Sequence, residues 1–282
     1  MVALIWLALG CRGDPSTVLS RLEESRRLAA ELPVRFSQAA EASNRAVMAD
    51  TDEGSIAATR ESEKATQALE HDAAALAKLL ESGRYSKEAQ ILHEFDAQFS
   101  QYSELDRRIL ALAVENTNLK ARSLSFGAAS QTADGFRDSL RSVASSIPVK
   151  DRCRVDALIT DAVRAVREIQ VLHAPHIGER DDATMTHHEK QMADLDTEAR
   201  VALASLKELS PASASPTLAE ALAKLDQFKA TTRQIIELSR RNTNVLSLDL
   251  SLRQKPALAT LCNDRLRALQ DALAKEGFPP GR

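Results

Sequence analysis

The spacing of apolar residues over two long stretches limits this chain more than any other feature. Leu92, Phe95, Phe99, Tyr102, Ile109 and Leu112 follow one another mostly at threes and fours, and the series continues through Asn116, Leu119, Ser123 and Phe126. Leu218, Leu225, Phe228, Ile235, Leu238, Asn242, Val245, Asp249 and Leu252 repeat the rhythm. That period puts one stripe along one side of an α-helix, packed as in a bundle or coiled coil. No stretch alternates apolar and polar residues as a half-buried strand would. Aromatic residues make up only 4% of the 282, so Ala and Leu must supply the core, which suits helix-on-helix packing. The expected fold is all-α: an elongated antiparallel helical bundle.

The two stretches also match each other. Asn116-Thr117-Asn118 recurs as Asn242-Thr243-Asn244, and the same offset pairs Arg107 with Arg233, Ile109 with Ile235 and Asp138 with Asp264. Upstream it pairs Glu63-Lys64 with Glu189-Lys190 and Leu80 with Leu206. Register kept across loops as well as helices points to a tandem duplication. The units are residues 25–147 and 148–275, each with two short helices and one long one. They lie inside one bundle domain, with 11–24 as a tether leading into the first helix and 276–282 as a tail. The breakers place the helices at about Ser16–Ala49, Ser55–Leu80, Ser86–Ser145, Asp151–His173, Asp182–Leu209 and Pro216–Lys275. Pro33 bends the first, Gly83 closes the second, and Gly127 and Pro256 interrupt the long ones.

The beginning of the chain bears on compartment. Val2 to Leu9 is an apolar run too short to span a bilayer but suited to a signal-peptide core, so residues 1–10 are read as a signal peptide. Leu7-Ala8-Leu9-Gly10-Cys11 resembles the lipobox of bacterial lipoproteins, which implies acylation of Cys11 and export to the periplasm or cell envelope. In an oxidising compartment Cys153 and Cys262 are expected to pair, pinning a long hairpin. A formal charge of −3, with Lys and Arg spread along the helices, leaves no basic footprint for nucleic acid.

No phosphate-binding loop, nucleophile elbow or haem-attachment motif is present, so no cofactor and no enzymatic activity are expected. His173, His176, His187 and His188 lie close in sequence at a helix–turn–helix tip. They are the candidates for a metal, although their spacing matches no metal motif and a polar tip is the plainer reading. Ligand recognition is otherwise expected at polar positions of the long helices. Asn116 and Asn242 interrupt the stripe at equivalent places, and Ser123 is matched by Asp249. A buried Asn serves either helix register or a ligand, and a carboxylate in the seam must be paired. Arg107 and Arg233 lie nine residues earlier, nearer the opposite flank, where they line a neighbouring groove or pair with an acid such as Asp106. Their fork-shaped guanidinium suits a carboxylate.

Helices carrying Ile109-Leu110-Ala111-Leu112-Ala113 and Asn116-Thr117-Asn118-Leu119-Lys120-Ala121 resemble the periplasmic helical-bundle sensor domains of methyl-accepting chemotaxis receptors. Four short and two long helices in two copies are similar to the bimodular variant. The resemblance covers most of residues 30–275 and lies in pattern. It implies a module that senses small molecules, often organic acids, between or beside its helices. With no second membrane segment and no signalling coil, the implied form is a detached, lipid-tethered one. The expected partner is a small organic ligand. The alternative is a structural or interaction lipoprotein that presents a face to another envelope protein.

Overall fold

The computed structural model describes residues 15–146 and 149–276. The signal-peptide run and Cys11 lie outside the described residues. Among the described residues ten α-helices occur, in the order α1 (Pro15–Met48), α2 (Asp52–Gly83), α3 (Ser86–Glu115), α4 (Thr117–Leu124), α5 (Ser130–Ser145), α6 (Arg152–Gly178), α7 (Asp182–Leu209), α8 (Ser215–Arg241), α9 (Thr243–Arg253) and α10 (Lys255–Lys275). A π-turn at Ser125–Ala129 joins α4 to α5, and short 3-10 turns precede α6 and α8. No strand occurs among the described residues. The fold is an all-α helical bundle.

Several boundaries depart from the sequence reading. α1 runs through Pro33 as expected, whereas α6 runs through Pro175 to Gly178 instead of ending at His173. A mid-helix proline costs about 3 kcal/mol through a lost hydrogen bond and a ring clash. Here the same turns bury Leu32 and Phe36, or Ile177, which offsets the cost. Arg84, not Gly83, takes the left-handed conformation that ends α2. Gly83 serves a different need: the Tyr85 ring stands 2.4 Å from where its Cβ would be. Gly127 lies within the π-turn, which turns the buried face without ending the helix.

The larger departure is at Asn116 and Asn242. Both have left-handed backbone, φ 50° and 53°, and each ends one helix and begins the next. Asn tolerates this conformation better than other residues with a Cβ. One non-helical residue resets the phase of the helix after it. Ala121 and Ser125 are therefore buried, Ser123 is exposed, and Phe126 is 74% exposed. In the second copy of the pattern Ser247 and Leu250 face inward, while Leu252 is 68% exposed. Both apolar stripes hold up to the Asn and fail after it.

The chain forms two compact units, and they cut across the expected repeats 25–147 and 148–275. The first unit holds Met1–Ala49, Glu53–Val114 and Leu248–Arg282, and the second holds Asp50–Asp52 and Glu115–Ser247. The main core of the first is built by four helices, with Leu32 and Phe36 from α1, Leu69 and Leu76 from α2, Phe95 and Tyr102 from α3, and Leu266 and Leu269 from α10. Its rings cluster, with Phe95, Phe99 and Tyr102 stacked along α3. The second is again built by four helices, with Phe136 and Leu140 from α5, Ile169 from α6, Leu203 from α7, and Leu225 and Phe228 from α8. The expected disulfide is not formed. Cys153 is exposed on α6 of the second unit, and Cys262 is buried on α10 of the first. The hairpin that would have brought them together is broken at Asn242, and from Leu248 the chain belongs to the first unit.

Candidate functional site

Three polar assemblies occur in the bundle cores, and one of them opens to solvent. The first is the helix break. Thr117 and Thr243, each the first residue of a new helix, carry backbone N–H groups without intrahelical partners. Each donates to the other's hydroxyl, at 3.2 and 3.1 Å. The Asn118 and Asn244 N–H groups likewise donate to each other's Oδ1, both at 3.1 Å. The two helix starts thus cap each other. Asn242 Oδ1 accepts from Asn118 (2.8 Å), and Asn242 Nδ2 donates to the Glu179 carbonyl (2.7 Å). Asn116 Oδ1 accepts from Asn244 (2.9 Å), whereas its fully buried Nδ2 has no partner among the described residues. The Asn pair therefore shapes the backbone, and Arg107 and Arg233 do not share its location.

The second assembly lies in the first unit. Lys255, buried where α10 begins, donates to Asp106 and Ser43, each at 2.6 Å, and its ammonium stands 5.5 Å from the Tyr102 ring centre. Ser43 also donates to Asp106 (2.6 Å). Asp106 is thus committed to Lys255 and not to Arg107. A lysine on the apolar face of a short amphipathic stretch was the only sequence signal for this cluster. Asp249 is half-buried and pairs with Arg253 at 2.8 Å.

The third assembly is in the second unit. α7 presents Glu189, Met192, Ala193, Asp196 and Thr197 at threes and fours, and α8 presents Phe228, Lys229, Thr232, Arg233 and Ile236 in the same way. With Ile169 of α6 these side chains line a groove of about 290 Å³. Ile169, Met192, Phe228 and Ile236 make its apolar walls. Asp196 is held by Lys229 (2.6 Å) and Arg200 (3.2 Å). Glu189 is held by Arg240 (2.6 Å) and His176 (2.9 Å). Burial alone would raise the Glu189 pKa, but the hydrogen bonds from Arg240 and His176 outweigh it and keep the carboxyl below its usual range. Arg233 is exposed at the groove and has no ion-pair or hydrogen-bond partner among the described residues.

Behind the groove stand two of the four candidate histidines. His173 and His176 are fully buried, where the sequence reading placed them at a polar tip. His173 stacks on Phe228, with Nδ1 3.1 Å from Ser125 Oγ and Nε2 3.2 Å from Thr232 Oγ1. Neutral imidazole has one donor and one acceptor, and the two hydroxyls complement it. Burial, aided by nearby His176, pushes its pKa down to about 4. His176 meets Ser239 through Nδ1 (2.7 Å) and Glu189 through Nε2. Burial lowers its pKa, and Glu189 opposes the shift. His187 is exposed and His188 bonds Gln191 at 3.4 Å. The four do not converge, and no group of three or more His, Cys, Asp or Glu able to hold a metal occurs among the described residues.

Ser239, His176 and Glu189 are spaced like a nucleophile, a base and its orienting acid. Ser239 is fully buried, however, and its single proton is shared between His176 Nδ1 and the His176 carbonyl (2.8 Å). A nucleophile must reach its substrate, and this one does not meet solvent. The trio instead braces Glu189 and the groove wall.

Arg107 lines a groove of about 320 Å³ in the first unit, between α2 and α3. Its Nε donates weakly to the Ser103 carbonyl at 3.4 Å. Glu70 and Asp96 share that lining, and neither has an ion-pair partner among the described residues. The two equivalent arginines thus sit in grooves of opposite electrostatic character. No known protein family and no curated protein sequence matches the chain. These sites are therefore the basis for assigning its function.

Proposed function

We propose that this chain is a non-enzymatic, sensor-like module that binds a small organic ligand and is held at a bacterial membrane through lipid on Cys11. The observation that carries the reading is the second-unit groove. Its apolar walls stand beside Arg233, a cation with no protein partner among the described residues, over a floor whose polar groups are otherwise satisfied. Ligand sites have this composition: mostly apolar lining with a few oriented polar groups. The volume is at the small end of the range of about 300–1,000 Å³ usual for such sites, which suits a small molecule. The resemblance to chemoreceptor sensor domains agrees with a ligand held beside the helices. Burial of Ser239 within its hydrogen-bonded trio supports a non-catalytic role.

A thermal-shift screen over small acids, amines and neutral metabolites tests the reading, since a ligand that binds only the folded state raises the melting temperature. At least one chemical class should raise it. No shift from any class would defeat the reading in favour of a structural or interaction lipoprotein. The exposed apolar side chains Phe126, Val171 and Val201 of the second unit favour that alternative. The tether is tested by mass spectrometry of the membrane fraction: an N-terminal peptide beginning at unmodified residue 1 or 2 would refute acylation at Cys11.

A further inference from the structure

Charge in the second-unit groove is unevenly balanced, and the imbalance selects a ligand. Arg240 neutralises Glu189, which His176 also hydrogen-bonds, and Lys229 and Arg200 hold Asp196, so neither carboxylate is left to attract a cation. Among the described residues of the groove, Arg233 alone is uncommitted. Its planar fork matches a carboxylate with two parallel hydrogen bonds. From there the ligand must continue against Ile169, Met192, Phe228 and Ile236. Those walls give an apolar body favourable burial and give a polar one no partners. We infer that the groove takes an organic monocarboxylate with a small apolar body, branched-aliphatic or single-ring, whose carboxylate is held by Arg233.

This inference rests on the ligand-binding reading and narrows it. A dicarboxylate would bring its second charge beside Glu189 or Asp196, where no cation is spare. A dianionic phosphate meets the same difficulty at a single guanidinium. The first-unit groove is excluded as an equivalent site, because Glu70 and Asp96 oppose an anion at Arg107. Arg233 therefore determines specificity, and Arg107 does not.

Isothermal titration calorimetry on the mature chain, with phenylacetate, 4-methylpentanoate, phenylacetamide, adipate and phenethylamine as probes, tests the assignment. Both monocarboxylates should bind, with phenylacetamide, adipate and phenethylamine at least about tenfold weaker, the order expected for losing a charge-assisted bidentate contact. Arg233→Gln should erase the preference for acid over amide, and Arg107→Gln should preserve it. Arg233 is exposed, so helicity by circular dichroism should be unchanged in its variant. Amide or amine bound as tightly as acid, adipate bound more tightly, or a preference that survives Arg233→Gln overturns the inference and leaves the groove a ligand site of another class. Absence of binding by both monocarboxylates also overturns it. The ligand-binding reading itself falls only if the wider thermal screen is silent for every class.

Discussion

Acidification from about pH 7.5 to about pH 5 protonates a histidine in the unfolded chain, while His173 stays neutral in the folded one. An ordinary histidine titrates near 6.5 and His173 near 4. Its folded pKa is depressed, so its contribution to stability is full above about 6.5 and is lost progressively as pH falls toward 4. Each unit of separation is worth about 1.4 kcal/mol, and at pH 5 roughly 2 kcal/mol of stability should be gone through this group alone. The physical origin is the fully buried ring, stacked on Phe228 and bonded by two neutral hydroxyls that bring no charge to offset the lost hydration of the cation. The measurement is urea unfolding followed by far-UV circular dichroism, for the parent and for His173→Gln, across this range. The glutamine keeps a donor and an acceptor but does not titrate. The parent should lead at neutral pH, and its lead should shrink by ~2 kcal/mol at the acid end, with other groups cancelling in the difference. Parallel pH curves for the two proteins would refute the reasoning and show that His173 is already protonated, or is not desolvated, in the fold.

The helix break gives a differential test. Glycine preserves the left-handed backbone, so Asn242→Gly, which loses two side-chain hydrogen bonds, should cost ~1 kcal/mol more than Asn116→Gly, which loses one. Leucine at either position should lower the melting temperature, because it meets a left-handed penalty of about 1–2 kcal/mol and orphans its partners; a gain would restore the picture of a continuous seam. Asp106→Leu should cost about 3–5 kcal/mol by stranding buried Lys255, and adding Lys255→Met should recover much of the loss in the denaturation midpoint. With Ellman's reagent, Cys153 should react in the folded protein, whereas Cys262, whose thiol pKa burial pushes up to about 12, should react only on unfolding.

Helical content and the order of helices were legible in the sequence because each depends on residues within a few turns. Threes-and-fours spacing placed Phe95 and Phe228 inside, and helical arithmetic put Arg107 and Arg233 on a flank apart from the Asn pair, where both line grooves. Other features depended on residues far away along the chain. Nothing local to Asn116 distinguishes a seam position from a break, since Asn serves in either. The left-handed turn persists because Thr243 and Asn244, 126 and more residues away, cap the next helix. That break reset the buried face and put Ser123 and Phe126 outside, and Cys153 and Cys262, which fall in different compact units, are unpaired. His173 and His176 passed for a polar tip because a buried histidine differs from an exposed one only in its partners. Ser125, Thr232, Glu189 and Ser239 come from three other segments of the chain, and only packing brought them to the rings.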